Sequence, residues 1–473
     1  MRYFIDPFGC VKNQVDAETM MAFLGRAGWV SAPDADSADI IIVNSCGFIE
    51  SAKRESIGAV LAWRKNYPEK KILLAGCLAR RYAKELARSL PEADGLFDNA
   101  DLAGIAGAAE KAAGKTRPAK PVSRRNGGAG AGAGSPEAAA VSAAAPPDPG
   151  RRPLLSLPGS AYVKISEGCN NRCSFCAIPL IRGGLKSRAI PDVLEECREL
   201  LARGIGELCV IGQDIGSYGR DFGGAGRDSA AGIAAAGLPG LLEALSTLEG
   251  DFWVRLLYIH PDHFPLPILD IMERDKRFLP YFDLPFQHAS AKILAAMNRR
   301  GTAESYLGLV ETIRGRLPAA VIRSTFLLGF PGETNGDFDE LLDFQEKARL
   351  DWLGCFTWSR EEDTPAYSMK GRVAKKIAAE RKRIAVERQI PVTEKQMERF
   401  IGRTLDVLVE EAVDAEEGLY LGRLYCQAPE VDGAAVIVCK EGEDPPEPGT
   451  FVKGKIFGRT GFDLQVSRIA GQG

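Results

Sequence analysis

The pattern of apolar and polar residues divides the chain into three parts with different periodicities. In the first part, before residue 114, three apolar runs of strand length are separated by longer stretches with helical spacing. Strands and helices that alternate on this scale favour a parallel sheet covered by helices. The predicted strands are 3–8, 38–45 and 70–76, and the predicted helices are 13–27, 50–65 and 80–90.

The second part, after residue 160, repeats this alternation over a longer stretch. Six apolar runs have strand length, and helical segments follow the first five. Successive β/α units of this number predict a (β/α)6 barrel or partial barrel, with functional residues at the carboxyl ends of its strands. The predicted strands are 161–168, 207–214, 252–259, 281–288, 321–330 and 352–359, and the predicted helices are 190–204, 239–249, 263–275, 291–299, 303–315 and 336–349.

The third part, from residue 401, contains five short apolar runs separated by glycine-rich turns. This pattern is typical of a small β-barrel. A charged helical stretch, 371–400, connects it to the preceding part. The predicted strands are 404–411, 418–425, 433–440, 449–457 and 462–469.

Two segments interrupt these patterns. Residues 114–160 are rich in Gly, Ala and Pro and have almost no large apolar side chain before Leu154. Such a segment buries too little surface to offset its ordering entropy, so we expect a flexible linker there, and an exposed loop at 219–237. The chain is therefore predicted to be an α/β protein with five segments: a parallel α/β domain at 1–113, a disordered linker at 114–160, a partial barrel at 161–370, a helical connector at 371–400 and a β-barrel at 401–473.

Composition limits the class of protein. No run of eighteen apolar residues occurs and no signal peptide is visible, so we expect no membrane span and a cytoplasmic location. A net charge of −3 gives no overall attraction to nucleic acid. The 11 cysteines are an odd number in a reducing compartment, which favours metal binding or burial over disulfides.

Three cysteines fall in the stretch EGCNNRCSFCAIP, directly after the first predicted barrel strand. Cys169, Cys173 and Cys176 have the spacing C-x3-C-x2-C. A structural zinc site needs four ligands, but the nearest further cysteine, Cys197, lies on a predicted helix, and the three histidines lie in other segments. Three thiolates from one loop suit a four-iron four-sulfur cluster, and they leave one iron open to another molecule.

A second set of three cysteines is spread over the first part of the chain. Cys10, Cys46 and Cys77 each follow a predicted strand, and each has a glycine beside it. Because the carboxyl ends of parallel strands meet at one sheet edge, where ligands bind, we expect these thiols to form a second metal site. The alternative is three ordinary buried thiols, since cysteine also packs as a small apolar residue.

The cysteine motif, with Phe175 as the aromatic residue before its last cysteine, resembles the radical S-adenosylmethionine superfamily. The stretches 161–188, 281–301 and 323–344, with the three-cysteine domain and a small barrel of the TRAM type, resemble the methylthiotransferases within it. The wording KISEGCNNRCSFCAIPLIRG and FTWSREEDTPA is similar to the branch that modifies small-subunit ribosomal protein twelve, uS12. This resemblance implies a transferase that adds a methylthio group to the β-carbon of an aspartate.

The resemblance also implies cofactors and partners. Two four-iron four-sulfur clusters would face one cavity, with one S-adenosylmethionine as methyl donor and another as radical source. An electron donor such as flavodoxin or ferredoxin and a sulfur donor would be needed, and no acid or base catalyst is nominated. The resemblance places contacts to S-adenosylmethionine at Phe175, Gln213, Asp214 and Arg323, and the alternative for each is an ordinary interior or loop residue.

Charge favours a protein substrate over tRNA. Residues 401–473 contain seven Lys or Arg against thirteen Asp or Glu, a formal charge of −6. An acidic domain repels an RNA backbone and attracts a basic partner, as ribosomal proteins typically are, although the acidity can also be only a solvated surface. Two alternative functions stay open: methylthiolation of a tRNA adenosine, and a non-catalytic iron–sulfur or zinc protein.

Overall fold

A computed structural model describes residues 1–114, 152–222, 237–440 and 443–469. It divides the chain into two units, Met1–Leu155 and Ser156–Gly473. Most of the predicted linker 114–160 and of the predicted loop 219–237 lies outside the described residues, so both remain predictions, as do the five domain boundaries. None of the described helices is long and apolar enough to cross a membrane.

The first unit is a parallel five-stranded sheet with helices on both faces, as the alternating pattern predicts. Its strand order is β2-β1-β3-β4-β5. Alternate strand residues enter two separate apolar cores, so that Ile40 and Ile42 pack on one face and Ile41 and Val43 on the other. The strands are β1 Arg2–Pro7, β2 Val30–Ser31, β3 Ile40–Ser45, β4 Lys71–Gly76 and β5 Gly95–Phe97, and the helices are α1 Val11–Arg26, α2 Glu50–Asn66, α3 Cys77–Arg81, α4 Ala83–Ser89 and α5 Ile105–Ala113.

The predicted helix 80–90 is two helices in the structure. Tyr82, with φ −126° and ψ 32°, ends α3 and precedes α4. Two short edge strands, β2 and β5, were not predicted, because runs of two or three residues are too short to show an apolar period.

The second unit begins with six parallel strands in the order β13-β12-β11-β10-β9-β6, which confirms the predicted partial barrel. A two-residue antiparallel ribbon, β7 with β8, follows its first strand. The strands are β6 Ser160–Lys164, β7 Ser166–Glu167, β8 Lys186–Ser187, β9 Glu207–Ile211, β10 Trp253–Leu256, β11 Phe278–Asp283, β12 Val321–Leu328 and β13 Trp352–Thr357. The helices are α6 Ile178–Arg182, α7 Ile190–Ala202, α8 Gly237–Ser246, α9 Ile268–Arg274, α10 Ala291–Ala296, α11 Ala303–Arg316, α12 Asn335–Ala348 and α13 Lys375–Glu398.

The fourth barrel strand differs from its predicted position 281–288. It spans Phe278–Asp283, and the residues after it are irregular apart from one bridge between Gln287 and Phe326. Gln287 has φ +70°, which interrupts a strand. Leu284 and Phe286 are nevertheless fully buried in the core. In the sequence, these apolar residues therefore resemble a continuation of the strand.

The predicted small β-barrel is confirmed as a closed barrel with the order β14-β15-β16-β18-β17. Buried charges join it to the larger barrel: Glu207 of β9 accepts hydrogen bonds from Arg255 of β10 at 2.7 Å and from Arg423 of β15 at 2.6 Å. All three side chains are almost completely buried. The strands are β14 Thr404–Asp414, β15 Leu419–Arg423, β16 Ala435–Val438, β17 Phe451–Thr460 and β18 Asp463–Arg468.

Candidate active site

The cysteine loop between β7 and α6 is closed at its base by backbone contacts. Cys169 N donates to the Gly183 carbonyl at 3.1 Å, and Gly168 has φ +67°. A side chain at Gly168 would place its Cβ 2.2 Å from the Gly184 oxygen, so only glycine fits. The ribbon β7–β8 thus holds both ends of the loop together, and Cys169, Cys173 and Cys176 all lie between these ends.

Hydrogen-bond donors surround the sulfurs of this loop. Asn171 N donates to Cys169 Sγ at 3.4 Å and Ile178 N to Cys176 Sγ at 3.5 Å. His260 Nε2 lies 4.0 Å from Cys173 Sγ. Its Nδ1 accepts the Asp262 N–H, which leaves the ring proton on Nε2, directed at the sulfur. Each of the three sulfurs therefore has a donor that stabilises negative charge on it.

Burial has the opposite effect on the same thiols. It raises the pKa of Cys169 to about 11 and that of Cys176 to about 12, because desolvation disfavours a thiolate. It also lowers the pKa of His260 to about 4, with help from the charge of Arg299, so the imidazole is neutral at pH 7. The loop thus gains its thiolates when a cation replaces the protons.

Asp214, one of the predicted contact residues, connects the cysteine loop to the end of β9. Its Oδ2 accepts hydrogen bonds from Asn171 Nδ2 at 2.8 Å and Ser217 Oγ at 2.6 Å, and lies 3.2 Å from His263 Nδ1. Its Oδ1 accepts from the His260 N–H at 3.1 Å. Burial alone raises the pKa of Asp214, but the hydrogen bonds from His263 and Ser217 outweigh it and hold the pKa well below its usual value.

The other three predicted contact residues have different surroundings. Gln213 is half-buried beside Asp214. Phe175 packs with an apolar cluster that includes Met297 and Phe330. Arg323 is the third residue of β12, and its guanidinium makes ion pairs with Asp283 at 3.3 Å and Asp432 at 3.4 Å. The structure therefore brings Asp214 to the cysteine loop and Arg323 to the contact between the two barrels. Their roles toward S-adenosylmethionine stay predictions.

The loop after β13 lies against the cysteine loop. Ala366 N donates to the Ser174 carbonyl at 2.8 Å, and Ser174 N donates to that of Met297 at 3.0 Å. A shallow depression, largely open to solvent, lies in the loop after β13. It is lined by Glu362, Asp363, Thr364, Pro365, Tyr367 and Ser368. Two of the lining residues, Glu362 and Asp363, are acidic, and the guanidinium of Arg360 lies 3.8 Å from the ring centroid of the lining residue Tyr367.

The three amino-terminal cysteines follow three adjacent strands of the first unit. Cys10 is the residue before α1, Cys46 follows β3, and Cys77 is the first residue of α3. Gly9 has φ +95°, and a Cβ there would lie 2.9 Å from the Cys46 Cβ. A Cβ on Gly47 would lie 2.8 Å from the Cys77 carbonyl oxygen. The glycines beside the cysteines therefore let the three strand ends approach one another closely.

Asn13, which the sequence analysis did not single out, joins these strand ends. Its Nδ2 donates to the carbonyls of Phe8 at 2.7 Å, Ser45 at 3.1 Å and Asn44 at 3.3 Å, and its Oδ1 lies 3.5 Å from Cys77 Sγ. The signal for Asn13 in the sequence is its place three residues after Cys10, on the same side of α1.

The donor sets suit iron–sulfur clusters better than a single ion. All 11 cysteines lie in the described part of the chain, and each is a thiol rather than a disulfide. Within that part, no group of three or more His, Cys, Asp or Glu side chains is close enough to hold one metal ion. A cluster needs no such convergence, because each thiolate ligates a different iron of the cage. Soft sulfur donors, with N–H groups directed at Cys169, Cys176 and Cys77, fit that requirement.

Comparison with known proteins gives three family matches along the chain. Residues 2–98 match the uncharacterized protein family UPF0004, residues 163–344 the radical SAM superfamily and residues 401–469 the TRAM domain. A ribosomal protein uS12 methylthiotransferase, RimO, of Treponema denticola is 46% identical over 98% of this chain and 100% of its own length. The chain belongs to the RimO family.

Other members of the RimO family match at similar coverage. The protein of Syntrophomonas wolfei is 37% identical over 96% of this chain and 97% of its own length. A solved radical S-adenosylmethionine methyltransferase, TsrM from Kitasatospora setae, has a TM-score of 0.49 at 15% identity, over 77% of this chain and 73% of its own. As a family member with a radical SAM domain, the chain is a transferase that uses an iron–sulfur cluster and S-adenosylmethionine.

Proposed function

We propose that this enzyme replaces one β-hydrogen of an aspartate in ribosomal protein uS12 with a methylthio group. The observation that carries the proposal is the full-length similarity to RimO proteins. This similarity includes both domains that contain a cysteine triplet. One S-adenosylmethionine donates the methyl group and another is the radical source. The enzyme acts in the cytoplasm and depends on an external electron donor of the flavodoxin or ferredoxin type and on a sulfur donor.

We assign one four-iron four-sulfur cluster to Cys169, Cys173 and Cys176 and a second to Cys10, Cys46 and Cys77. A cluster held by Cys169, Cys173 and Cys176 would supply the one-electron reduction of S-adenosylmethionine that radical chemistry at an unactivated carbon requires. The chain's own residues prepare this chemistry. The Asn171 and Ile178 N–H groups stabilise thiolates, and Asp214 fixes Asn171. No side chain is assigned as an acid or base catalyst.

Two features support a basic protein substrate over tRNA. The depression in the loop after β13 is lined by Glu362 and Asp363, and this loop contacts the cysteine loop. The carboxyl-terminal barrel carries exposed acidic residues along and after β14, among them Glu411, Asp414 and Glu416. Negative potential at the carboxyl-terminal barrel attracts lysine- and arginine-rich segments and repels phosphate, and Glu362 and Asp363 offer a basic segment two carboxylates to pair with.

The test is anaerobic reconstitution with iron and sulfide, followed by incubation with dithionite, S-adenosylmethionine and uS12. We expect a mass gain on one aspartate equal to a methylthio group in place of hydrogen. The variant with Cys169, Cys173 and Cys176 changed to Ala should form neither 5′-deoxyadenosine nor product. The variant with Cys10, Cys46 and Cys77 changed to Ala should form 5′-deoxyadenosine without methylthiolated product.

Two results would contradict the proposal. Modification of tRNA in place of uS12 would select the alternative substrate. Zinc instead of iron in the reconstituted protein, with no cleavage of S-adenosylmethionine, would select a non-catalytic binding protein.

A further inference from the structure

Asn99, two residues after β5, contacts one of the amino-terminal cysteines. Its Nδ2 lies 3.5 Å from Cys77 Sγ and 3.2 Å from Asp16 Oδ2. Asp16 is buried on α1. Because a carboxylate only accepts hydrogen bonds, the Asn99 atom that faces Asp16 is the amide nitrogen, and its second hydrogen is available to the sulfur.

Asn13 contacts the same sulfur with its other amide atom. Three carbonyl oxygens surround Asn13 Nδ2, which leaves Oδ1 facing Cys77 Sγ at 3.5 Å. A thiol can donate to that oxygen, but a thiolate cannot. Of the two carboxamides on Cys77, only Asn99 can therefore donate a hydrogen bond to the sulfur once the proton is lost.

We infer that Asn99, oriented by Asp16, is a positioning residue that raises the reduction potential of the amino-terminal cluster through its N–H···S bond to Cys77. This inference rests on the proposed function, because it requires a cluster on Cys10, Cys46 and Cys77. The positive end of the N–H dipole stabilises the extra negative charge that reduction adds, and hydrogen bonds to ligand sulfurs are known determinants of cluster potential.

The parent protein of the experiment is the full chain with Cys169, Cys173 and Cys176 changed to Ala. It keeps only the amino-terminal cysteine triplet. Asn99→Ala removes the donor, and Asn99→Asp keeps the shape but turns an acceptor toward the sulfur. Asn66→Ala, at the exposed end of α2, is the matched control. Iron content and the midpoint potential, from an EPR-monitored redox titration, are measured for each.

We expect the potential to fall in Asn99→Ala, to fall further in Asn99→Asp, and to match the parent in Asn66→Ala. Equal potentials in Asn99→Ala and Asn66→Ala would overturn the inference and leave the proposed function intact. A parent that binds no iron would overturn the cluster assignment itself. If Asn99→Ala does not fold, as shown by the lack of a cooperative thermal transition, the shape-conserving Asn99→Asp is used instead. A midpoint potential equal to that of Asn66→Ala would then overturn the inference.

Discussion

At Gly76, the last residue of β4, φ is +95°, and a Cβ would lie 2.6 Å from Asn44 Oδ1 and 2.7 Å from the Ser45 carbonyl oxygen. This single residue stands directly before Cys77, between two of the strand ends that carry the amino-terminal thiols. A side chain there has neither an allowed backbone conformation nor space. The position of Cys77 therefore depends on the smallest residue of the segment.

Gly76→Ala is expected to lower the free energy of unfolding of the first unit by roughly 1–3 kcal/mol or more and to reduce the iron bound by the amino-terminal triplet. Urea denaturation and iron analysis after reconstitution measure both effects. The control is Gly58→Ala inside α2, where no atom lies within 4 Å of the new Cβ. That variant should gain about 0.5–1 kcal/mol. Equal behaviour of the two variants would contradict the steric argument.

Asp214 offers a prediction about pH. Its pKa in the folded state is depressed, so its stabilising contribution is complete above the ordinary carboxyl pKa of about 4 and is lost as pH falls through the folded pKa. Asp214→Asn should therefore cost about 1.5–3 kcal/mol at pH 7, and the difference from the parent chain should narrow below about pH 4.

Urea denaturation at several pH values measures this difference. The control is Asp339→Asn, an exposed position on α12, for which we expect almost no effect at any pH. A gap for Asp214→Asn that widens on acidification would show that the sign of the linkage is wrong.

The residues of the candidate site differ in how far sequence predicts them. The six cysteines follow strands and have characteristic spacings, so their segments could be located in advance. Asn99 and His260 could not, because their contacts with sulfur depend on the paths of loops rather than on an apolar period. Arg323 shows the opposite case, since a polar residue inside a barrel strand is compatible with a ligand contact or an ion pair until its partners, Asp283 and Asp432, are known.

Among the secondary-structure elements, β9, β10 and β15 share one buried ion cluster. Burial raises the pKa of Glu207, but the charges of Arg423 and Arg255 outweigh it and hold the pKa at about 2. Glu207 also accepts a hydrogen bond from Ser160 Oγ at 2.8 Å. The carboxylate is therefore the common partner of two buried guanidinium groups. Its removal takes the carboxylate away from Arg255, while Arg423 keeps its ion pair with Glu410 at 2.6 Å.

Glu207→Ala is expected to cost about 3–5 kcal/mol, the usual effect of breaking a buried ion pair from one side. Glu387→Ala is the matched control, because Glu387 pairs with Arg383 on the exposed surface of α13 and should cost well under 1 kcal/mol. Chemical denaturation of both variants measures the difference. Similar losses would show that burial of the cluster does not determine its contribution.

Element positions were predicted where apolar runs are long. The strands of the partial barrel and of the small barrel follow from such runs. The ribbon β7–β8 and the edge strands β2 and β5 do not, since each has only two or three residues. The shift of β11 has a different cause, because the buried residues Leu284 and Phe286 continue the apolar pattern beyond the end of the strand.

For the whole molecule, the charge distribution makes a prediction about the partner. The net charge of the chain is −3, whereas residues 401–473 alone carry −6, so the remainder is slightly basic. Attraction between this acidic segment and a basic protein acts over about 10 Å at 0.1 M salt and weakens as salt is added.

Binding of uS12 should therefore weaken with rising ionic strength, mainly through a slower association rate. At low salt, the variant in which Glu411, Asp414 and Glu416 are replaced with their amides should bind uS12 more weakly than the parent. Replacing three exposed acidic residues of α13, Glu380, Glu387 and Glu398, is the matched control and should have a smaller effect. Surface plasmon resonance at several salt concentrations measures both effects. Tighter binding of tRNA than of uS12 by the parent would contradict the assignment of the partner.

The salt bridges at Glu207 have a further consequence for recognition. Separating the two barrels would break the buried ion pair between Glu207 and Arg423 and the hydrogen bond from Arg255 to the Tyr425 carbonyl, so the smaller barrel behaves as a rigid spacer. A protein substrate that is bound to this barrel would hold its reactive residue at a fixed distance from the barrel. If the segment of uS12 between the surface that binds the barrel and the modified aspartate is lengthened or shortened, turnover should be lost while the affinity for uS12 stays the same.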